Sequence, residues 1–196
     1  MKNLTIALML LATSLLLLLP TARATGGSAW VKTITKGNKK LTKFHFYVHD
    51  PGAGPNATLF KVANASITDT SSTVFGQVMV FDDRVTADPD INSAQVARAQ
   101  GTAASADLQN LAVALNMNFY ITSGEYNGST VSIAGRNPLL APSREVPVIG
   151  GTGAFRFARG YAVTSTYSMD LAASYIVLEY TIYVITYDHE IVWPST

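Results

Sequence analysis

Three histidines, 13 carboxylates and 14 Lys or Arg are the groups with which this chain can do chemistry, because it has no cysteine. That single absence excludes thiol nucleophiles, disulfides, Cys-ligated zinc and iron–sulfur clusters. His45 and His49 stand four apart, which is ligand spacing on a helix. On a strand both point to the face opposite Phe44 and Phe46, where exposed or interface histidines are expected rather than a metal site. His189 lies far along the chain, and no H-E-x-x-H or G-x-S-x-G occurs. Gly151-Thr152-Gly153-Ala154-Phe155-Arg156 lacks the third glycine of a dinucleotide loop and reads as a tight turn.

Carboxylates and arginines must therefore carry any reaction, and Asp50 is the informative acid. From Leu41 onward Phe44, Phe46, Val48 and Asp50 alternate with Lys43, His45, Tyr47 and His49, a strand with one apolar face. An unpaired carboxylate on that face is costly to bury. Either Asp50 is a buried acid with a task, or the strand stops one residue early and Asp50 opens a turn with Pro51-Gly52.

The elements that must position such an acid read as β. Further strands are expected at Thr73–Phe81, Phe119–Ser123, Thr130–Ile133, Val146–Ile149, Phe155–Ser168 and Ser174–Tyr187, separated by turn signals at Gly124, Asn127-Gly128, Asn137-Pro138, Gly150–Gly153 and Asp170. Many strands with hairpin breaks predict an antiparallel all-β domain, barrel or sandwich. One segment conflicts: helix propensity alone favours helix over Ala103–Leu115.

Met1–Lys2, the apolar run Ile6–Leu19 and Ala22-Arg23-Ala24 read as a secretory signal peptide over residues 1–24, too short a run to span a bilayer. Its removal takes away Lys2 and Arg23 and leaves 12 basic against 13 acidic residues in a chain of 172. A nearly neutral chain with 14% charged residues carries no electrostatic footprint for nucleic acid. Residues 25–40 are polar and basic without periodicity and read as a flexible arm, and 41–190 as the folded domain. Sequons at Asn56, Asn64 and Asn127 fall in turn-rich stretches and are expected to be exposed glycosylation sites of a secreted, extracellular protein.

Five ordered motifs then resemble one family. The strand ending Phe46-Tyr47-Val48-His49-Asp50, then Val80-Phe81-Asp82-Asp83, Arg98-Ala99-Gln100-Gly101, Arg144-Glu145-Val146-Pro147-Val148-Ile149-Gly150-Gly151-Thr152-Gly153-Ala154-Phe155 and Ala158-Arg159-Gly160 are similar to the motif series of plant dirigent proteins, over about residues 41–187. The resemblance implies an eight-stranded antiparallel barrel, strand rather than helix over 103–115, a secreted homotrimer of the apoplast with a part in plant defence, and an interior for phenolic intermediates without metal or organic cofactor. Some members direct the stereochemistry of monolignol radical coupling to lignans, with radicals supplied by an external oxidase. Others, the pterocarpan synthases of legumes, dehydrate a 2′-hydroxyisoflavan-4-ol through a quinone methide and close an ether ring.

The C-terminal Tyr175–Val184 stretch looks more like the synthase group. Where lignan-forming members carry aromatics after Arg-Ala-Gln-Gly, this chain has Thr102-Ala103-Ala104, and in place of Gly-Ala-Asp-Pro it has Gly135-Arg136-Asn137-Pro138. The resemblance thus implies room for a fused polycycle at Thr102 and a site whose second acid is replaced by the neutral Asn137. Asp50 is then the general acid, and Arg144 holds the phenolate or quinone oxygen, instead of forming a rim ion pair with Glu145. Asn137 orients a substrate hydroxyl. Thr164 and Thr166, alternating with Ala162, add hydrogen bonds inward or are satisfied within the core. Burial raises the Asp50 pKa and a close Arg144 lowers it, so its sign depends on their distance. Arg98 and Arg159 are assigned to the wall or rim.

Overall fold

The computed structural model describes residues 38–187. The expected signal peptide, most of the 25–40 arm and His189 lie outside the described residues. Nine strands follow: β1 (Lys39–Pro51), β2 (Leu59–Ala63), β3 (Val78–Thr86), β4 (Gln95–Ser105), β5 (Ala112–Ile121), β6 (Thr130–Pro138), β7 (Arg144–Thr152), β8 (Arg159–Asp170) and β9 (Tyr175–Tyr187). All pair antiparallel in the order β1-β9-β8-β7-β6-β5-β4-β3, and β3 returns to β1, which closes an eight-stranded barrel with β2 appended to β3. Closure pairs the two end strands of the barrel with each other, which suits a chain held without disulfides.

Several boundaries differ from expectation. β1 begins two residues inside the segment read as arm, because Lys39 and Lys40 pair with Tyr187 and Thr186. The strand expected over Thr73–Phe81 starts at Val78 and runs to Thr86; Val74 (φ 49°) and Gly76 (φ 83°) turn the chain first, and a Cβ on Gly76 would meet that of Ala65. β2 lies in a stretch that read only as loop. Asn137-Pro138 ends β6 instead of making a turn, with Asn137 opposite Val113 and Pro138 opposite Ala112. β8 begins at Arg159, after Phe157 takes a left-handed φ of 58°.

Residues 103–115 are the end of β4, a turn and the start of β5. Helix propensity loses there because the barrel interior selects small side chains at alternate positions: Ala97, Ala99 and Ala103 are buried inward. Arg98 and Arg159 brace the wall, Arg98 on the Asp82 carboxylate (2.6 Å) and Arg159 on the Ile149 carbonyl (2.9 Å).

Side chains fill the lower barrel. An aromatic column runs Tyr126–Phe155–Phe44–Phe46–Phe119–Tyr180, with neighbouring ring centroids between 4.9 and 6.5 Å. Such edge-to-face and tilted contacts add to the burial of large rings. Tyr180 ends the column and floors an open space above it.

Candidate active site

That space is a cavity of about 310 Å³ at the end of the barrel where β1 finishes and β7 begins. Its walls are mostly apolar, including Val48, Met79, Phe81, Ala103, Val113, Leu115, Met117, Ile176 and Leu178, with Asp50, Asp83, Asn137, Arg144, Thr166 and Tyr180 interspersed.

Asp50 lies within β1 on the inward face with Phe46 and Val48, so it is a cavity acid and not the first residue of a turn. Its Oδ1 is buried without a partner, and burial pushes its carboxyl up to about 6. The sign left open by the sequence is therefore upward: desolvation acts and no cation offsets it. Arg144 is buried at the start of β7 while Glu145 faces out, which removes the rim ion pair. Its Nη1 donates to the Leu139 carbonyl (3.2 Å) and Nη2 to Thr166 Oγ1 (3.3 Å), leaving Nε without a partner.

Asn137 is buried with its Oδ1 unpaired, and Thr164 on β8, opposite Arg144 on β7 and Tyr180 on β9, has an orphaned Oγ1 but is not among the residues that line the cavity. Burial pushes the Tyr180 phenol up to about 12, against the pull of Thr164 and Arg144. Among the described residues the other orphaned buried side-chain atom is Arg84 Nε. Native proteins pair nearly all such atoms, so a cluster of orphans around one cavity marks groups kept for a ligand.

Thr102 is not one of them. It is exposed on the outer face of β4, and its neighbour Ala103 lines the cavity. The histidines also diverge. His45 is exposed and meets Glu179 at 2.7 Å, as an outer-face histidine should, whereas His49, expected to be exposed or at an interface, is buried outside the barrel between Tyr175 and Thr86.

The reading of a single-acid site is corrected by Asp83. β1 and β3 pair Tyr47 with Thr86, Val48 with Val85 and His49 with Arg84, so the next step of the register sets Asp50 opposite Asp83. There β3 leaves β1 and takes β2 as its partner. Burial, then the charge of Asp50, pushes Asp83 up to about 7, while Thr58 Oγ1 donates to its Oδ1 (2.6 Å) and opposes the rise. Two buried carboxylates thus face the cavity at one fork in the wall, where the charge of Asp50 reaches Asp83. Phe81, Asp83 and Val85 alternate inward as Val48 and Asp50 do; ending the strand at Phe81 hid this second acid on an apolar face.

Around the ring, two strands separate the β1/β3 seam from the β6/β7 junction in either direction, through β9 and β8 or through β4 and β5. The acid pair and the Asn137–Arg144 pair are therefore on opposite walls, with hydrocarbon between them. This layout fits a ligand that is polar at two ends and apolar in the middle.

The Dirigent-like protein family matches residues 41–185. The chain belongs to this family. It is 46% identical over 159 residues to dirigent protein 21 of Arabidopsis thaliana, covering 80% of this chain and 84% of the relative. It is 40% identical over 150 residues to pterocarpan synthase 1 of Glycyrrhiza echinata, covering 76% and 80%. The solved structure of a pterocarpan synthase dirigent protein superposes with a TM-score of 0.74 at 38% identity, covering 83% of this chain and 94% of that one.

Proposed function

We propose that this dirigent protein is a hydro-lyase of the pterocarpan synthase type, acting on a 2′-hydroxyisoflavan-4-ol. The opposition of an acid pair and a buried arginine across one apolar cavity carries this reading. Arg144, always protonated, holds the substrate phenol as its phenolate. The acid pair gives one proton to the C4 hydroxyl, which leaves as water while phenolate electrons move into the ring to form a neutral quinone methide. The 2′-hydroxyl then adds to C4 and returns its proton to the carboxylate, and the phenolate re-forms at Arg144. Water is the only group lost. Asn137 Oδ1 accepts from a substrate hydroxyl, and the walls hold the ring-closing conformer, which supplies much of the rate.

Purified protein given a 2′-hydroxyisoflavan-4-ol without oxidant is expected to form ring-closed product above the spontaneous rate. No excess over the protein-free control overturns the reading. The higher identity to a relative named only as dirigent supports the alternative, a scaffold that binds oxidase-generated intermediates and directs lignan coupling. Enantiomeric excess from monolignol plus oxidase, with no dehydration, would select it. Secretion to the apoplast, N-glycosylation and a homotrimeric state complete the proposal. Asn56, Asn64 and Asn127 are all exposed in turns or loops, and intact mass and light scattering of the secreted protein test these three points.

A further inference from the structure

His49 is the last residue of β1 paired to β3, one position before the acid pair, and its side chain lies on the outside of that seam. The seam has three residue pairs, against nine between β3 and β4, so backbone pairing alone holds it weakly. His49 spans it: Nε2 lies 2.7 Å from Thr86 Oγ1 on β3, and Nδ1 lies 2.7 Å from the Tyr175 hydroxyl on β9. The direction of these bonds can be derived. Thr86 Oγ1 spends its one proton on the Asp88 carbonyl (2.7 Å), so it must accept from His49, and Nε2 carries the hydrogen. Burial and the Arg84 charge keep the ring neutral, so Nδ1 is an acceptor and the Tyr175 O–H donates to it. The result is a one-way chain from Tyr175 through His49 and Thr86 to Asp88, crossing from β9 over β1 to β3 and its following loop.

We propose that His49 is a positioning residue whose two ring hydrogen bonds hold the fork of the seam at the width that couples the Asp50 and Asp83 carboxylates. This rests on the acid pair of the candidate site and not on the reaction the pair serves. The charge of Asp50 reaches Asp83 across this fork, and that coupling falls as the gap opens. Asp83 feels Asp50, Asp82 on β3 and Arg98 on β4, Asp50 is governed by burial, and both acids act on the Tyr180 phenol of β9; His49 feels Arg84 on β3 and Asp90 in the loop after it. None of these groups is bonded to the clasp through the ring nitrogens, so a change in the clasp reads out chiefly as a change in pair coupling.

The test needs no substrate. Carboxyl carbons of ¹³C-labelled aspartate are titrated by NMR in wild type, Tyr175→Phe, His49→Gln and Tyr47→Phe. Tyr175→Phe removes one oxygen. His49→Gln keeps a donor toward Thr86 and loses the acceptor for Tyr175. Tyr47→Phe removes an oxygen from the same outer face of β1, where the Tyr47 hydroxyl donates to Glu179 and not to the His49 ring, and it leaves the Tyr47–Thr86 backbone pairing in place. The expected result is that the upper step of the pair falls by about half a unit or more in Tyr175→Phe and in His49→Gln, with wild-type amide spectra elsewhere and no change in Tyr47→Phe. Titrations in folded Tyr175→Phe that superpose on wild type overturn the proposal, as does an equal shift in Tyr47→Phe. Should His49→Gln fail to fold, Tyr175→Phe decides alone. A negative dehydration assay would overturn the proposed reaction and leave this result standing.

Discussion

At the other end of the barrel from the candidate site Lys40 meets Glu125 at 3.5 Å, Thr130 meets Thr152 at 2.8 Å, and Ser129 Oγ accepts from the Ala154 amide, around an open cleft of about 350 Å³ whose inner wall is the Tyr126 and Phe155 end of the aromatic column. At the end that holds the candidate site the same strands carry Asp50, Asn137 and Arg144 with buried polar atoms that have no partner. At the first end polar side chains satisfy one another in the empty protein, and at the second they are left for what it will hold. A barrel can support such a difference because each strand crosses both regions: β1 contributes Phe44 and Phe46 to the aromatic column and Asp50 to the candidate site.

The contrast is broken hardest in the aromatic column. Phe119 is almost fully buried between Phe46 and Tyr180, so Phe119→Ala is expected to cost about 3–5 kcal/mol in urea unfolding, whereas truncation of the exposed rim residue Leu140 costs under about 0.5 kcal/mol. Equal losses would mean that the rim is as integral as the core.

The acids should behave in the opposite sense. Between the ordinary value of 3.8 and folded values of about 6 and 7, the folded chain keeps protons that the unfolded chain has released. Stability therefore falls as pH rises through this window, and the full cost is present above about 7. Asp50→Asn is expected to raise stability at pH 8 by about 2–3 kcal/mol and to change little at pH 4, while it abolishes dehydration. Asp83→Asn, which keeps an acceptor for Thr58, should act in the same direction. Thermal melts at the two pH values check the sign, and a variant less stable than wild type at pH 8 would contradict it. Arg144→Lys keeps a charge but loses the planar fork that reaches Leu139 and Thr166, and a fall in turnover of about tenfold is expected with a smaller change in stability.

Much of this was legible from residue type and alternation. The inward face of β1, the buried Arg144 and the inward threonines of β8 follow from period-two spacing together with five recognisable motifs. Asp83 is hidden because the sequence pattern ends its strand at Phe81, five residues short of Thr86, which removes the alternation that exposes it. His49 was misread for another reason: alternation tells inside from outside of a barrel, but not that a distant loop and Tyr175 will cover one outside position. The β1–β3 closure, which brings both acids together, is a long-range pairing to which no local signal points.

The smallest expected effect isolates the alternation itself. Thr102 and Ala103 are neighbours in β4, and the sequence motif directs attention to the first, yet Thr102 pairs between Val80 and Asn116 on the outer face while Ala103 pairs between Met79 and Leu115 on the inner one. Thr102→Val should change stability and turnover by no more than about 0.5 kcal/mol each, because an exposed β-branched residue is exchanged for another of the same shape. Ala103→Val adds two methyl groups to a cavity of about 310 Å³ and should reject the bulkiest substrates first, read as a rise in KM at nearly constant melting temperature. If Thr102→Val moved KM and Ala103→Val did not, β4 would be one residue out of register, and every inward residue of that strand would change faces with it.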